Sequence, residues 1–235
     1  MRFALYFTPS AADPLTRTAA RWLGRDAFSG EMVVPAGPLP AGYGAADHAA
    51  LVADPVRYGF HGTLKAPFSL AAGTDEAGLL TALRDFASET PAFTIPRLTV
   101  GRLGPFFALV PEGPAPELEA FAAACVRRFE AFRAPLSAAD MARRRPETLT
   151  ESQRDHLTGW GYPYVFSDFR FHMTLTGKVA EGERDAVEAH LHALFAPHLD
   201  RPIPVETITL FAEPERGAPF RVHAHETLAA ERKTA

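Results

Sequence analysis

The sequence predicts a bilobed α+β fold in which each lobe is a small antiparallel sheet backed by helices and a cleft lies between the lobes. Strand-like and helix-like segments follow the same order twice along the 235 residues. The triplet "FAL" at 3–5 returns at 107–109, and "FHGTL" at 60–64 returns as "FHMTL" at 171–175, offsets of 104 and 111 residues. These recurrences predict one domain, residues 1–235, made of two pseudo-repeats of about 1–104 and 105–228.

Each pseudo-repeat begins with a strand and a helix. In the first, the β-rich run 2–9 precedes a helix over 13–24, for which Asp13 is the expected N-cap, Pro14 the first turn and Gly24 the end. Each repeat then continues with its histidine motif, a helix and a strand. The second repeat opens with a strand at 106–112 and a helix at 116–134. The first motif is followed by a helix at 75–89 and a strand at 93–104, and the second by a helix at 181–199 and strands at 203–214 and 220–228.

Three segments lie outside this pattern. Residues 25–58, rich in Gly and Pro, are predicted to form a long surface connection. Residues 136–165 form an insertion with two short helices, the second capped by Thr150, and we expect it to act as a lid. Residues 229–235 are expected to be a frayed tail.

Composition excludes several classes of protein. The net charge of −4 does not favour binding to a long polyanion, and no apolar run approaches the roughly 20 residues of a membrane span. A single cysteine, Cys125, allows no internal disulfide or cysteine-based zinc site and fits a reducing compartment, so a cytoplasmic location is expected. The opening segment is predicted to be a strand rather than a signal peptide.

The two histidine motifs carry the chemistry. Side chains alternate along a strand, so His61 and Thr63 share one face, as do His172 and Thr174. One imidazole can accept a proton while a second donates one, and the threonine hydroxyls can donate hydrogen bonds to phosphate oxygens. These groups suffice for a phosphodiesterase that needs neither metal nor cofactor.

The pair "FHGTL" and "FHMTL" in a duplicated chain resembles the two-histidine (2H) phosphoesterase superfamily of 2′-5′ RNA ligase-like proteins and cyclic nucleotide phosphodiesterases. More narrowly, "RYGFHGTLKAPF" and "FRFHMTLTG" resemble its branch associated with phosphonate metabolism. The resemblance implies the bilobed 2H fold with a water-filled cleft, and hydrolysis of a small cyclic phosphate or phosphodiester of a nucleotide or ribose phosphate. It places catalysis on His61 and His172 and phosphate binding on Thr63 and Thr174.

Residues near the motifs extend the candidate site. Lys65 and Arg170 share strand alternation with the motif histidines and are expected to bind phosphate. Candidate substrate contacts beyond these are Tyr58, Tyr162, Tyr164, Arg143 and Arg144. The expected partner is a small phosphorylated substrate.

Two other functions remain open at this point. The first is a non-catalytic module that binds a phosphosugar or nucleotide and regulates or escorts it. The second is an RNA-end-processing phosphodiesterase or ligase, which needs a basic track that the acidic composition disfavours. His223 and His225 share a strand face, but the sequence places no carboxylate or cysteine beside them, and no metal site is predicted.

Overall fold

The computed structural model describes residues 1–35 and 37–230. The strands in these residues are β1 (Arg2–Phe7), β2 (Gly62–Phe68), β3 (Phe93–Ile95), β4 (Leu98–Leu103), β5 (Phe106–Pro111), β6 (Met173–Thr174), β7 (Ile203–Val205), β8 (Thr207–Glu213) and β9 (Arg221–Thr227). The α-helices are α1 (Pro14–Leu23), α2 (Ala45–Val56), α3 (Glu76–Glu89), α4 (Pro116–Arg128), α5 (Ala138–Arg143), α6 (Glu151–Trp160) and α7 (Arg184–Leu199).

Seven strands form one antiparallel sheet in the order β4-β5-β6-β2-β1-β8-β9, and β3 pairs with β7 as a separate small ribbon. The two motif strands, β2 and β6, meet in the middle of the large sheet through the pair Gly62–Met173. The sheet therefore has two parts, one built from β1, β2, β8 and β9 and the other from β4, β5 and β6. The α+β class and the antiparallel pairing that the sequence predicts are confirmed.

Strands from distant parts of the chain lie side by side in both parts of the sheet. The strands that carry the "FAL" triplets, β1 and β5, occupy equivalent places, each next to a strand with a histidine motif. On its other side β1 pairs with β8, while β5 pairs with β4. Each part of the sheet thus contains strands from both halves of the sequence.

One face of the sheet is covered by helices and forms the main core. Phe3, Leu5 and Phe7 of β1 point into it and are at most 2% exposed. Helical side chains that complete this core are Leu15, Leu83, Phe121, Leu191 and Phe195. The alternate residues of β1 point to the opposite face. There a smaller buried cluster contains Ala4, Tyr6, Ala27, Phe211 and Phe220.

Local signals at helix ends are where the sequence places them. Asp13 caps α1 by accepting a hydrogen bond from the Leu15 amide at 2.7 Å, and Gly24 ends the helix with a left-handed φ of 81°. The predicted insertion contains α5 and α6, and Thr150 caps α6 through the Gln153 amide. Both expectations are confirmed. The sequence could predict these caps because each depends on residues close together in the chain.

The segment 25–58 differs from its expectation as a long surface connection. It contains α2, a helix of 12 residues whose side chains His48, Leu51 and Val52 are buried. The Leu51 carbonyl accepts a hydrogen bond from the Gly177 amide at 2.6 Å, which ties the helix to the chain beyond β6. Tertiary contacts such as this one are invisible in the local composition.

The end of the chain is described up to residue 230. In the expected tail, 229–235, the Ala229 amide donates to the Thr90 carbonyl at 2.9 Å and its carbonyl accepts from the Ala92 amide at 2.8 Å. Residues 231–235 of that tail lie outside the described residues. Among the helices of residues 1–35 and 37–230, none has the length and apolar character to cross a bilayer.

Candidate active site

Gly62 and Met173 bring the two histidine motifs together. A side chain at position 62 would collide with the ring of Phe171, so only glycine allows this close approach. Met173 is fully buried, and Phe171 packs in the same core. The strands that carry the motifs therefore meet at their histidine-bearing ends.

The antiparallel register of this pair sets the spacing of the motif side chains. It brings His61 next to Thr174 and Thr63 next to His172, all four on the face opposite the helices. Directly opposed side chains in such a pair are about 5 Å apart, and diagonal neighbours about 7–8 Å. The two histidines are diagonal neighbours in this register.

His61 is held in one orientation by its neighbours. Its Nδ1 donates to the Gly59 carbonyl at 2.9 Å, and its Nε2 accepts from the Thr63 hydroxyl at 3.3 Å. The ring of Tyr6 stacks on the imidazole, with centroids 3.9 Å apart and planes at 25°. Burial is the main cause that lowers the pKa of His61 to about 4, the nearby His172 adds to the decrease, and the bond to Gly59 opposes it. At neutral pH the ring is uncharged and Nε2 is a proton acceptor.

His172 is oriented in the same way but in more open surroundings. Its Nδ1 donates to the carbonyl of Arg170, two residues earlier, at 2.8 Å, as His61 does to Gly59. Its nearest aromatic neighbour, Phe106, lies 5.9 Å away between ring centroids. Both histidines thus point Nε2 away from their own backbone, and Phe106 lies farther from the His172 ring than Tyr6 does from the His61 ring.

The cleft beside the motifs has a volume of about 670 Å³. Of the predicted site residues, Thr63, His172, Arg170, Tyr162 and Tyr164 line it. His61 adjoins it through its hydrogen bond to Thr63, and Thr174 is half-buried on the same face. The insertion contributes Gln153 as well as the two tyrosines to the lining. The cleft is large enough for a small phosphorylated ligand.

Lys65 is placed elsewhere, which corrects its predicted contact with phosphate. Tyr6 pairs with Thr63 but Leu5 pairs with Lys65, so β2 has one residue more than β1 over this step. Such a bulge reverses the alternation and turns Lys65 to the helix-covered face with Leu5. There Lys65 is 3% exposed, and its Nζ is ion-paired with Glu130 at 2.8 Å.

Tyr58, Arg143 and Arg144 do not line the cleft either. They line a second cavity, of about 330 Å³. The ring of Tyr58 stacks on Phe220, with centroids 5.3 Å apart, and also lies 6.0 Å from the His61 ring. Arg144 lies over the ring of Tyr162 at 4.9 Å. Tyr58 and Arg144 therefore stand beside the cleft rather than in it.

The two histidines of β9 each contact a side chain of a neighbouring element. His223 contacts Glu76 at 2.8 Å, and Nδ1 of His225 lies 2.8 Å from the Thr209 hydroxyl. Within the part of the chain that the structure describes, no group of three or more His, Cys, Asp or Glu side chains is arranged to hold a metal ion.

The sequence did not predict every residue of the site, and Tyr6 and Arg102 are two examples. Tyr6 stacks on His61, and its position could be found from alternation in β1, since Phe3, Leu5 and Phe7 fill the core. Arg102 lines the cleft from β4. Nothing local to Arg102 indicates this, because the hairpin of β4 and β5 and the position of β6 together bring it there.

Comparison with known proteins gives two curated relatives. A protein of Janthinobacterium sp. (strain Marseille) named ribose 1,5-bisphosphate phosphokinase PhnN is 38% identical over 226 residues, which cover 93% of this chain and 49% of that protein. A protein of the same name from Laribacter hongkongensis is 37% identical over 222 residues, which cover 94% and 50%. The chain spans about half the length of the curated relatives it matches.

Solved structures are similar over nearly the whole chain, at low identity. They include a phosphoesterase (16% identity, TM-score 0.42, 97% of this chain and 98% of that one). TT0787 of Thermus thermophilus (17%, 0.44) covers 99% of this chain and 100% of its own, and E. coli LigT complexed with NADP+ (17%, 0.40) covers 97% of each. The model of a family described as "protein of unknown function" (DUF1045) matches residues 63–221. The chain thus belongs to the DUF1045 family.

Proposed function

We propose that the protein is a metal-independent phosphoesterase that hydrolyses a small cyclic phosphate or phosphodiester by general acid and base catalysis. One observation carries the proposal. The Gly62–Met173 pair joins two strands whose histidines each use Nδ1 to bind a backbone carbonyl and leave Nε2 for chemistry, at the side of a cleft. The resemblance of the motifs to the 2H superfamily supports the same function.

In this mechanism His61 is the general base. Its burial, to which the stacked ring of Tyr6 contributes, keeps the imidazole neutral, since burial lowers the pKa of His61 to about 4. The Nδ1 proton is held by the Gly59 carbonyl, so the lone pair for proton transfer is on Nε2. His61 therefore removes a proton from the water that attacks phosphorus.

His172 is the general acid. The new bond forms between the water oxygen and phosphorus as the bond between phosphorus and the sugar oxygen breaks. The water proton goes to Nε2 of His61, and the proton on Nε2 of His172 goes to the departing oxygen. Thr174 donates to one non-bridging oxygen, and Thr63 turns its hydroxyl from Nε2 of His61 to the other when substrate binds, which frees Nε2 for the water proton and stabilises the negative charge that increases in the transition state. Exchange with solvent restores both imidazoles.

Substrate recognition is assigned to the rest of the cleft. Arg102 and Arg170 supply positive charge for the phosphate, and Tyr162 and Tyr164 provide surfaces for a sugar or base. The curated relatives are named for an enzyme of ribose 1,5-bisphosphate, and their PhnN name agrees with the phosphonate-metabolism branch that the motifs resemble. We therefore propose a ribose phosphate as the substrate class and phosphonate catabolism as the setting. A cytoplasmic location completes the proposal, because the free thiol of Cys125 suits a reducing compartment.

The proposal is tested with purified protein and a panel of 2′,3′-cyclic nucleotides and ribose 1,2-cyclic phosphate esters. His61→Ala and His172→Ala should each reduce kcat by about 10² to 10⁴, equivalent to roughly 3–5 kcal/mol of transition-state stabilisation. The matched control is His192→Ala, since His192 is exposed on α7 away from the cleft, and it should retain the parent rate.

Two outcomes contradict the proposal. Retention of the parent rate by either of the motif-histidine variants refutes the mechanism. Tight binding of the cyclic phosphates with no turnover in the parent protein would instead support the non-catalytic binding module.

A further inference from the structure

The second cavity is a basic feature of the described surface that the proposed mechanism does not use. Its volume is about 330 Å³, and five arginines line it: Arg2, Arg57, Arg143, Arg144 and Arg216. Asp140 also lines it, and the buried carboxylate of Glu213 lies behind it. Five guanidinium groups against two carboxylates leave a local charge of about +3 in a protein whose formal net charge is −4.

Glu213 fixes two of the arginines. Its side chain is fully buried and pairs with both Arg2, at 2.5 Å, and Arg57. The arginine side chains are 19% and 34% exposed, so both reach the cavity surface. Each guanidinium has five N–H donors, and one carboxylate shared by two arginines leaves several of them for a ligand.

Asp140 fixes two more from the insertion side. It pairs with Arg216 at 2.8 Å and with Arg143, whose side chains are 49% and 57% exposed. The guanidinium groups lower the pKa of Asp140, chiefly through its hydrogen bonds with Arg216, so the carboxylate stays charged. The two carboxylates thus hold four guanidinium groups around one cavity before any ligand binds, which reduces the ordering cost of binding.

The cavity is next to the proposed active site. Tyr58 lines the cavity, and its ring is 6.0 Å from that of His61. Arg144 lines the cavity and lies 4.9 Å over Tyr162, which lines the cleft. Tyr58 and Tyr162 therefore lie at the border between the arginines and the catalytic groups.

We propose that the arginine cavity binds a second phosphate group, a phosphomonoester, on the same substrate whose other phosphate lies between His61 and His172. The part of this inference that places the other phosphate between His61 and His172 rests on the proposed function. The binding of phosphate by the cavity does not. A phosphomonoester carries nearly two negative charges at neutral pH and accepts the paired N–H donors of guanidinium groups. The substrate would thus be a phosphorylated sugar or nucleotide with a second, cyclic or diester, phosphate.

The first test measures binding without catalysis. Inorganic phosphate is titrated calorimetrically into the His172→Ala protein, in which the cleft is impaired, and into the same protein with Arg216→Glu or with Arg128→Glu. Arg128 is exposed on α4, so Arg128→Glu is the matched change of charge outside the cavity. Arg216→Glu should raise the Kd at least 10-fold more than Arg128→Glu does. Equal effects of the two changes, or no effect of Arg216→Glu, overturn the proposal.

The second test asks whether one molecule reaches both sites. Adenosine 2′,3′-cyclic phosphate and its 5′-phosphorylated form are compared as ligands of the His172→Ala protein. The 5′-phosphorylated form should bind at least 10-fold more tightly, and Arg216→Glu should abolish the difference. Equal affinities refute the shared substrate even if free phosphate binds the cavity. Because both readouts are affinities, a parent protein that hydrolyses nothing refutes the proposed function alone.

Discussion

The pKa of His61 should depend on the ring of Tyr6. Tyr6 is 1% exposed and covers one side of the imidazole at a centroid distance of 3.9 Å. Tyr6→Leu keeps an apolar side chain in this place but removes the flat surface that excludes water. Better hydration of the charged form should raise the pKa of His61 from about 4 towards the ordinary value of 6.5. A protonated His61 cannot accept a proton from water.

The size of the effect follows from the neutral fraction of the imidazole. At pH 5, a pKa of about 4 leaves about 90% of His61 neutral, whereas a pKa of 6.5 leaves about 3%. A rise of the His61 pKa from about 4 to 6.5 therefore reduces kcat/KM about 30-fold at pH 5. At pH 7 the same change reduces kcat/KM by only about 1.3-fold. The defect should thus be large in acid and small at neutral pH.

The assay combines NMR and kinetics. The imidazole of His61 is titrated in protein with ¹⁵N-labelled histidine, and kcat/KM is measured from pH 4.5 to 8 for the parent, Tyr6→Leu and Tyr6→Phe. Tyr6→Phe keeps the ring and should keep the parent profile, while circular dichroism confirms that each variant is folded. The reasoning is refuted by a His61 pKa near 6.5 in the parent, or by an acid limb that Tyr6→Leu does not move.

Four further outcomes are expected. Lys65→Met should leave kcat/KM within about threefold and lower the free energy of unfolding, measured in urea, by about 1–3 kcal/mol. The loss is limited because Glu130 keeps its ion pair with Arg133. Gly62→Ala should destabilise the fold by about 1–3 kcal/mol through its clash with Phe171 and lower kcat as well, both measured on the same preparation. The free energy of unfolding should rise with pH between about pH 4 and 6.5, since unfolded His61 binds a proton that the folded protein excludes. The rise is measured by urea titration at several pH values. It amounts to at most about 3 kcal/mol, and solvent access to the half-buried ring makes it smaller. Dialysis against EDTA should leave the hydrolysis rate unchanged.

The sequence predicted most successfully what depends on neighbouring residues. The caps at Asp13 and Thr150 were found from one turn of helix each. The shared face of His61 and Thr63 follows from the two-residue period of a strand, and the same period turned Phe60 and Leu64 into the core. The duplicated motif then identified both strands of the site.

What the sequence did not predict depends on pairing between distant strands. The bulge opposite Leu5 and Tyr6 exists only in the pairing of β1 with β2, and it moved Lys65 to the other face. Arg144 reaches the second cavity because Asp140 of α5 pairs with Arg216, beyond β8, and Tyr58 reaches it beside Phe220, on which its ring stacks. These contacts between distant residues have no local signal in the sequence. Helix α2 was missed because its apolar residues are stabilised by contacts made elsewhere in the chain.

The position of β1 has a consequence for synthesis on the ribosome. This first strand needs β8 as one of its two neighbours, and Arg2 is paired with Glu213, 211 residues later. Until β8 emerges, the backbone groups along one edge of β1 have no partner strand, and such an edge can recruit other nascent chains. We therefore expect chains truncated before residue 207 to aggregate, and native structure to form only after nearly the whole described chain has left the exit tunnel.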